Sequence, residues 1–282
     1  MMRVLLTGAN GQLGHDLVAI LSNQHQVFGV SRQYMDITDL TRVLDVVQTI
    51  KPDIVIHAAA YTRVDYAESD QDRAYLVNTY GTRNVTVAAQ QTGAKMIYLS
   101  TDYVFDGQSK LPYIEYDRVN PLNVYGKSKL AGEELVKTLS DKYFIVRTSW
   151  LYGKQGNNFV KTMLKLAENR NEVSVVDDQV GSPTYTKDLA WFLSILSETD
   201  KYGIYHASNT GACSWFEFAK AILEEAGHVT KVIPIATKQF PRPARRPPYS
   251  VLDHMAMRLN GFTAFRHWKE ALKNFICDLR GR

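Results

Sequence analysis

The sequence predicts an α/β fold, a doubly wound parallel sheet with a smaller C-terminal α/β lobe. Three observations predict it. Short apolar runs bounded by turn residues alternate with helical stretches through the first half of the chain. A glycine-rich turn joins the first run to the first helix. The residues best suited to chemistry fall where strands end, the edge on which open α/β sheets hold ligands.

Arg3-Val4-Leu5-Leu6-Thr7 reads as a short buried strand, and Leu17, Val18, Ile20 and Leu21 as the apolar face of a helix. Between them lies Gly8-Ala9-Asn10-Gly11-Gln12-Leu13-Gly14, spaced G-x-x-G-x-x-G. In this setting glycines admit a pyrophosphate to the backbone, and the helix N-terminus offers free N–H groups. The sheet is therefore expected to be Rossmann-like. Gln26 to Val30 is the second strand. An acid near its end would hold ribose hydroxyls. Ser31-Arg32 stands there instead, a pair that suits a 2′-phosphate and favours NADPH over NADH. Asp36, followed by Ile37, reads either as an adenine-side contact or as a turn residue.

Asp39 to Ile50 is an amphipathic helix with Thr38 as its N-cap. Ile54-Val55-Ile56 is the third strand and delivers His57-Ala58-Ala59-Ala60-Tyr61-Thr62. Small residues there let a flat cofactor lie on the backbone, or let a helix pack closely. His57 reads as a packed histidine. A helix from about Asp70 to Gln91 is closed by Gly93. The fourth strand, Lys95 to Ser100, runs into Thr101-Asp102-Tyr103-Val104-Phe105, where Thr101 offers a hydroxyl and Asp102 and Tyr103 could touch a polar substrate. The fifth, Tyr143 to Arg147, ends in Thr148-Ser149-Trp150. Helix Asn158 to Glu168 and strand Val173 to Val176 are expected to extend the core. Residues 1–176 thus form the NAD(P)-binding domain. Residues 177–282 form mainly a substrate-binding lobe, with elements free to return to the first domain.

In that lobe Leu189 to Leu196 reads as a helix and Gly203 to His206 as a short strand. Ser214-Trp215-Phe216-Glu217 is a capping box. Val232 to Ile235 is a strand, and Trp268 to Leu279 the last helix. Arg242, Arg245 and Arg246 cluster in a proline-stiffened segment that reads equally as a solvated loop or as a clamp on phosphate.

Composition bounds the function. A net charge of +4 fits an anionic small ligand and is too mild to argue for nucleic acid. No apolar run reaches the ~18 residues of a membrane helix. Two cysteines imply no disulfide framework, and with no signal-peptide pattern the cytoplasm is expected.

Tyr125 and Lys129 lie four apart on a predicted helix and share a face. A nearby ammonium is expected to lower a tyrosine pKa of about 10, so that it can trade a proton with a hydroxyl or ketone. An isolated Y-x-x-x-K is commonly a solvated surface pair; its position after the glycine turn and Thr101 argues otherwise.

Together these residues resemble the extended short-chain dehydrogenase/reductase family. Thr7 to Gly14, Ser100 to Phe105, Pro121 to Gly126, Arg147 to Gly153, Gly156 to Met163 and Pro243 to Pro247 resemble its dTDP-4-dehydrorhamnose reductase branch, over nearly the whole chain. The resemblance implies an enzyme that reduces the C4 ketone of dTDP-4-dehydro-6-deoxy-L-mannose with NAD(P)H, giving dTDP-L-rhamnose for surface polysaccharide. It implies Tyr125 as proton donor, Thr101 as hydrogen-bond donor to the ketone oxygen, and Lys129 as the group that tunes Tyr125 and holds the nicotinamide ribose. The cofactor would lie over Gly8, Gly11, Gln12, Leu13 and Gly14, with Asp36 and Ile37 near the adenine and Ala58, Ala59, Ala60, Tyr61 and Thr62 along its middle. Thr101, Asp102, Tyr103, Trp150 and Arg245 would meet the sugar nucleotide. Some members dimerise through a magnesium site of C-terminal acids. Here Asp278 is the only acid from Asn274 to Arg282, so neither that metal nor that dimer is expected, leaving monomer and homodimer open. The rivals are another nucleotide-sugar reductase or epimerase, and a non-catalytic NADP-binding regulatory subunit such as that of methionine adenosyltransferase. The substrate-side motifs favour a working enzyme.

Overall fold

The computed structural model describes residues 1–281; Arg282 of the tail lies outside the described residues. The chain opens with β1 (Arg3–Thr7), α1 (Gln12–Leu21), β2 (Gln26–Val30), α2 (Leu40–Ile50) and β3 (Ile54–His57). α3 (Val64–Ala67), α4 (Gln71–Tyr75), a π-helical segment (Leu76–Gly81) and α5 (Thr82–Thr92) follow, then β4 (Lys95–Thr101), α6 (Val124–Leu139) and β5 (Tyr143–Thr148). Next come β6 (Leu151–Tyr152), α7 (Phe159–Ala167), β7 (Glu172–Val176), β8 (Val180–Gly181), β9 (Thr184–Tyr185), α8 (Thr186–Ser197) and β10 (Gly203–His206). β11 (Cys213–Ser214), α9 (Trp215–Ala226), β12 (Lys231–Ile235), α10 (Met255–Leu259) and α11 (Trp268–Leu279) complete the chain.

Six strands form one parallel sheet in the order β10-β5-β4-β3-β1-β2. The chain runs outward from β1 to β2, then crosses back to β3, so the order reverses beside β1. That reversal opens a crevice at the strand ends, where such sheets hold ligands. Side-chain alternation makes the layers. Val4, Leu6, Ile54, Ile56, Ile97, Leu99, Phe144 and Val146 pack with α1 and α8 on one face. Leu5, Val55, Met96, Tyr98 and Ile145 pack with α2, α5 and α6 on the other. Every residue of β3 is buried, as expected of a parallel strand covered on both sides.

The structure departs from the sequence expectations in three places. Asp39, not Thr38, caps α2, accepting from the Arg42 N–H at 3.0 Å; the Thr38 hydroxyl is already committed to Asp36. β7 does not extend the main sheet. It pairs in parallel with β12, and α7 packs with it, because Val160 and Met163 of α7 and Val173 and Val175 of β7 belong to a second core with Phe218, Ile222, Trp268 and Phe275. The long helical stretch from Gln71 to Thr92 is interrupted by π geometry at Asn78, whose side chain reaches across to Tyr61 and Ser128.

The chain beyond residue 177 contributes to both bodies. α8 and β10 join the main sheet, while α9 and α11 carry the second core. The capping box at Ser214 forms as expected, with Glu217 reaching back at 2.8 Å. Cys213 is a buried free thiol, and Cys277 is free and partly buried.

Candidate active site

A cleft of about 1370 Å³ follows the C-terminal edge of the sheet. One drug-sized ligand needs roughly 300–1,000 Å³, so the cleft has room for a dinucleotide and a second ligand. Gly8, Gly11, Gln12, Leu13 and Gly14 line it at the β1–α1 turn, and Ser31, Arg32, Asp36 and Ile37 after β2. Ala58, Ala59, Ala60, Tyr61 and Thr62 line it after β3, and Tyr125 and Lys129 from α6. Thr101, Asp102 and Trp150 line it too, whereas Tyr103 and Arg245 do not.

The glycine turn fits a phosphate. Gly8 has φ +73°, and a Cβ there would stand 2.8 Å from the Ala59 nitrogen. At Gly14 a Cβ would collide with the Gly8 and Ala9 carbonyls. Gly11 is the N-cap of α1 and brings no side chain to its first turn, so those N–H groups are left for an anion. The loop after β3 is fixed from below. Thr82 donates to the Asn78 carbonyl at 2.7 Å, so it receives the Nε2–H of His57 at 3.1 Å. Nδ1 of His57 then accepts from Thr7 at 2.7 Å, and the Thr7 oxygen accepts the Ala59 N–H at 3.2 Å. His57 is the packed histidine expected, and burial pulls its pKa down to about 3.

At the end of β2, Arg32 pairs with Asp36 at 3.2 Å. Burial works against ionisation of Asp36, but the Thr38 N–H and hydroxyl, with Arg32, outweigh it and hold the carboxyl below its usual range. Asp36 is thus both the turn residue and a wall of the cleft.

α6 begins at Asn123, whose Oδ1 accepts from the Gly126 N–H at 2.8 Å. Its Nδ2 donates to the Arg245 carbonyl at 2.8 Å, and Glu68 accepts from the Val124 N–H at 2.8 Å. Held in this way, the first turns bring Tyr125 and Lys129 to the cleft on one face. Lys129 is 2 % exposed; its Nζ donates to the Leu99 carbonyl at 2.6 Å and lies 4.1 Å from the centre of the Tyr98 ring. Burial pulls its pKa down to about 7, with the charge of Glu133 working the other way.

The lowered tyrosine pKa expected from the lysine is not found. Burial pushes Tyr125 up to about 12, and the charge of Asp102 adds to this while Thr101 opposes it. Burial dominates at Tyr125, and the lysine Nζ is turned to the Leu99 carbonyl. Tyr125 is therefore a phenol at neutral pH, the form that can give a proton.

Thr101 donates to Asp102 Oδ1 at 3.0 Å and accepts the Tyr103 N–H at 3.2 Å. Asp102 is 2 % exposed and its Oδ2 has no hydrogen-bond partner among the described residues. Burial pushes its pKa up to about 6, outweighing the approach of the Ser250 and Thr101 hydroxyls. Trp150 has the left-handed φ of 45°, and its indole stacks on Trp215 with centroids 3.5 Å apart and planes at 7°. Gly181 packs so closely that a Cβ would stand 2.6 Å from the Trp150 ring.

The arginine–proline segment is neither a free loop nor part of the cleft wall. Arg246 makes a two-pronged pair with Asp65 at 2.7 and 2.9 Å, and Arg242 lies 3.8 Å from the same carboxylate. Arg245 joins through its backbone only, as the acceptor from Asn123. Tyr103 stands edge-on to Tyr125, 5.9 Å between centroids, and supports that ring. Residues missed by sequence reasoning include Arg63, Arg73 and Trp215, which line the cleft. The only available signal was for Trp215, at the start of a recognised capping box.

Among the described residues no group of three or more His, Cys, Asp or Glu is placed to hold a metal ion. Asp278 pairs with Lys187 at 2.6 Å and with Tyr185. Among the described residues no helix is long and apolar enough to cross a membrane.

Comparison with known proteins agrees with this geometry. A crystal structure of a dTDP-4-dehydrorhamnose reductase from Bacillus anthracis in complex with NADP superposes with a TM-score of 0.97 at 51% identity, covering 98% of this chain and 99% of that one. The spore coat polysaccharide biosynthesis protein SpsK of Bacillus subtilis is 45% identical, covering 98% of this chain and 97% of its own. A dTDP-4-dehydrorhamnose reductase of Aggregatibacter actinomycetemcomitans is 43% identical, with 97% and 98% covered. A dTDP-4-keto-6-deoxy-D-glucose reductase of Streptomyces niveus is 40% identical, with 96% and 95% covered. Residues 2–280 match the family described as RmlD substrate binding domain, and the chain belongs to that family.

Proposed function

We propose that this protein is a dTDP-4-dehydrorhamnose reductase. It converts dTDP-4-dehydro-6-deoxy-L-mannose to dTDP-L-rhamnose with NAD(P)H. The observation that carries this reading is the meeting of Thr101, Tyr125 and Lys129 in a cleft that also contains an uncapped glycine turn. Relatives at 43% and 51% identity that bear this name support the substrate.

NAD(P)H, when bound, supplies the hydride that reduces C4. Tyr125 protonates the oxygen left at C4. Thr101 turns its hydroxyl from Asp102 to the same oxygen, and so stabilises the charge that develops there. Lys129, whose Nζ donates to the Leu99 carbonyl, would hold the nicotinamide ribose hydroxyls with its remaining donors. Asp102 and Trp150 contact the sugar. Ser31 and Arg32 favour NADPH, as does the NADP in the B. anthracis relative. Residues 1–176 hold mainly the cofactor and residues 177–282 mainly the substrate. The substrate chemistry suits the cytoplasm, and the product suits surface polysaccharide, as the SpsK relative does.

The test is NAD(P)H oxidation across a panel of nucleotide sugars with each cofactor. dTDP-4-dehydro-6-deoxy-L-mannose is expected to give the highest rate, with NADPH preferred. The S. niveus relative supports a second reading, in which the 6-deoxy-D-glucose ketone is the better substrate. NADPH binding without oxidation by any panel member would end the enzyme reading.

A further inference from the structure

Tyr125, Lys129 and Glu133 stand at successive i, i+4 positions of α6. The mechanism above uses the first two. Glu133 is fully buried, where a carboxylate is costly unless it is paired and hydrogen-bonded. Arg147 of β5 donates to Oε1 at 3.0 Å and to Oε2 at 2.7 Å. Ser100 of β4, the neighbour of Thr101, donates to Oε1 at 2.5 Å. Arg147 also donates to the Glu115 carbonyl at 3.2 Å and lies over the Phe105 ring. Three elements that end at the cleft are thus tied together behind it.

Lys129 has less support. Its ammonium carries three protons, but among the described residues the Leu99 carbonyl and the Tyr98 ring are its only partners. His57 faces it from β3 and is neutral, as burial and Lys129 itself both dictate. Tyr98 and Tyr125 keep their protons, chiefly because they are buried. Asp102 is turned to Thr101, and Arg147 is paired with Glu133, offsetting part of that carboxylate's charge.

We infer that Glu133 is a positioning residue of the reductase reaction: one turn beyond Lys129, and anchored by Arg147 and Ser100, it supplies the negative field that keeps the lysine an ammonium in the wall of the cleft. This rests on the reductase reading of Tyr125 and Lys129. The opposing effects of burial and Glu133 on Lys129 agree with it.

The test is a pH titration of the free protein carrying lysine labelled with carbon-13 at Cε, with the Lys129 signal assigned through Lys129→Arg. Loss of a neighbouring anion makes a lysine release its proton at lower pH. Glu133→Gln is therefore expected to lower the Lys129 midpoint by about one pH unit or more. The alkaline limb of kcat/KM should move down with it, which a merely structural role would not cause. An unchanged midpoint overturns the inference. Glu133→Gln leaves Arg147 without a counter-charge, so Glu133→Gln with Arg147→Met is the control. A midpoint that stays low in the double variant supports Glu133. A midpoint that returns to the wild-type value assigns the effect to the stranded arginine and overturns the inference. If the single variant does not fold, the double variant decides alone by the same shift. If the wild-type protein reduces no nucleotide sugar, the reductase reading fails, and the lysine signal still decides whether Glu133 supports Lys129.

Discussion

The two ends of the cleft are built on opposite plans. At the glycine end the backbone makes the site: a left-handed Gly8, an N-cap without a side chain at Gly11, and a Gly14 that admits no Cβ. At the other end side chains make it, from β4, α6, the exit of β5 and α9. The first is nearly contiguous in sequence and is made of shape. The second is assembled from distant segments and depends on charge state, since Tyr125, Lys129 and Asp102 are all shifted by burial. A backbone site should therefore fail by losing its ligand, and a side-chain site by losing its rate.

Substitutions can break this contrast. The largest effect is expected of Tyr125→Phe, which removes the proposed proton donor and should lower kcat by roughly 10²–10⁴. NADPH affinity, read by fluorescence titration, should barely move; a parallel loss of affinity would erase the distinction between the two ends. Next is Gly14→Ala, whose Cβ would meet the Gly8 and Ala9 carbonyls. It should weaken NADPH binding at least about tenfold and lower stability by about 1–3 kcal/mol, seen by titration and thermal melting.

Lys129→Met should act in opposite directions on rate and stability. The lysine pKa is about 7 in the fold against 10.5 in the open chain, so between those values the unfolded state holds more protons. Stability contributed at this site rises with pH through that window, and the burial cost is full below pH 7. The methionine variant should be inactive, yet more stable at pH 6 by on the order of 1 kcal/mol or more, with the advantage shrinking toward pH 10. Denaturant unfolding at the two pH values checks this. The smallest effect is expected of Arg32→Ala, which removes an exposed guanidinium. Its NADPH-over-NADH preference, as a ratio of kcat/KM values, should fall about tenfold, or ~1.4 kcal/mol.

The same contrast explains what was legible in the sequence. The glycine turn, the strand ends at Thr101 and Trp150 and the Tyr125–Lys129 spacing are local patterns. Each was found where the sequence put it. The Asp65–Arg246 pair, the Trp150–Trp215 stack and the Glu133–Arg147 pair join residues that only the folded topology brings together. No periodicity announces them. The direction of the Tyr125 pKa shift was misjudged for a related reason. Sequence spacing fixes which face of the helix the lysine shares, while its aim at Leu99 depends on where β4 lies. β7 was misplaced because a short apolar run does not state which of two cores will cover it.

The order of the sheet strands has a consequence for synthesis. β5, which carries Arg147 and leads to Trp150, is covered on its outer side only by β10, Gly203–His206. While the chain leaves the ribosome N-terminus first, the glycine turn and its neighbouring strands can pair early. The hydrogen-bonding edge of β5 must wait, open, until β10 has emerged. A stalled or truncated chain would thus display a cofactor cradle beside an unprotected strand, a species for chaperones to hold until the final edge arrives.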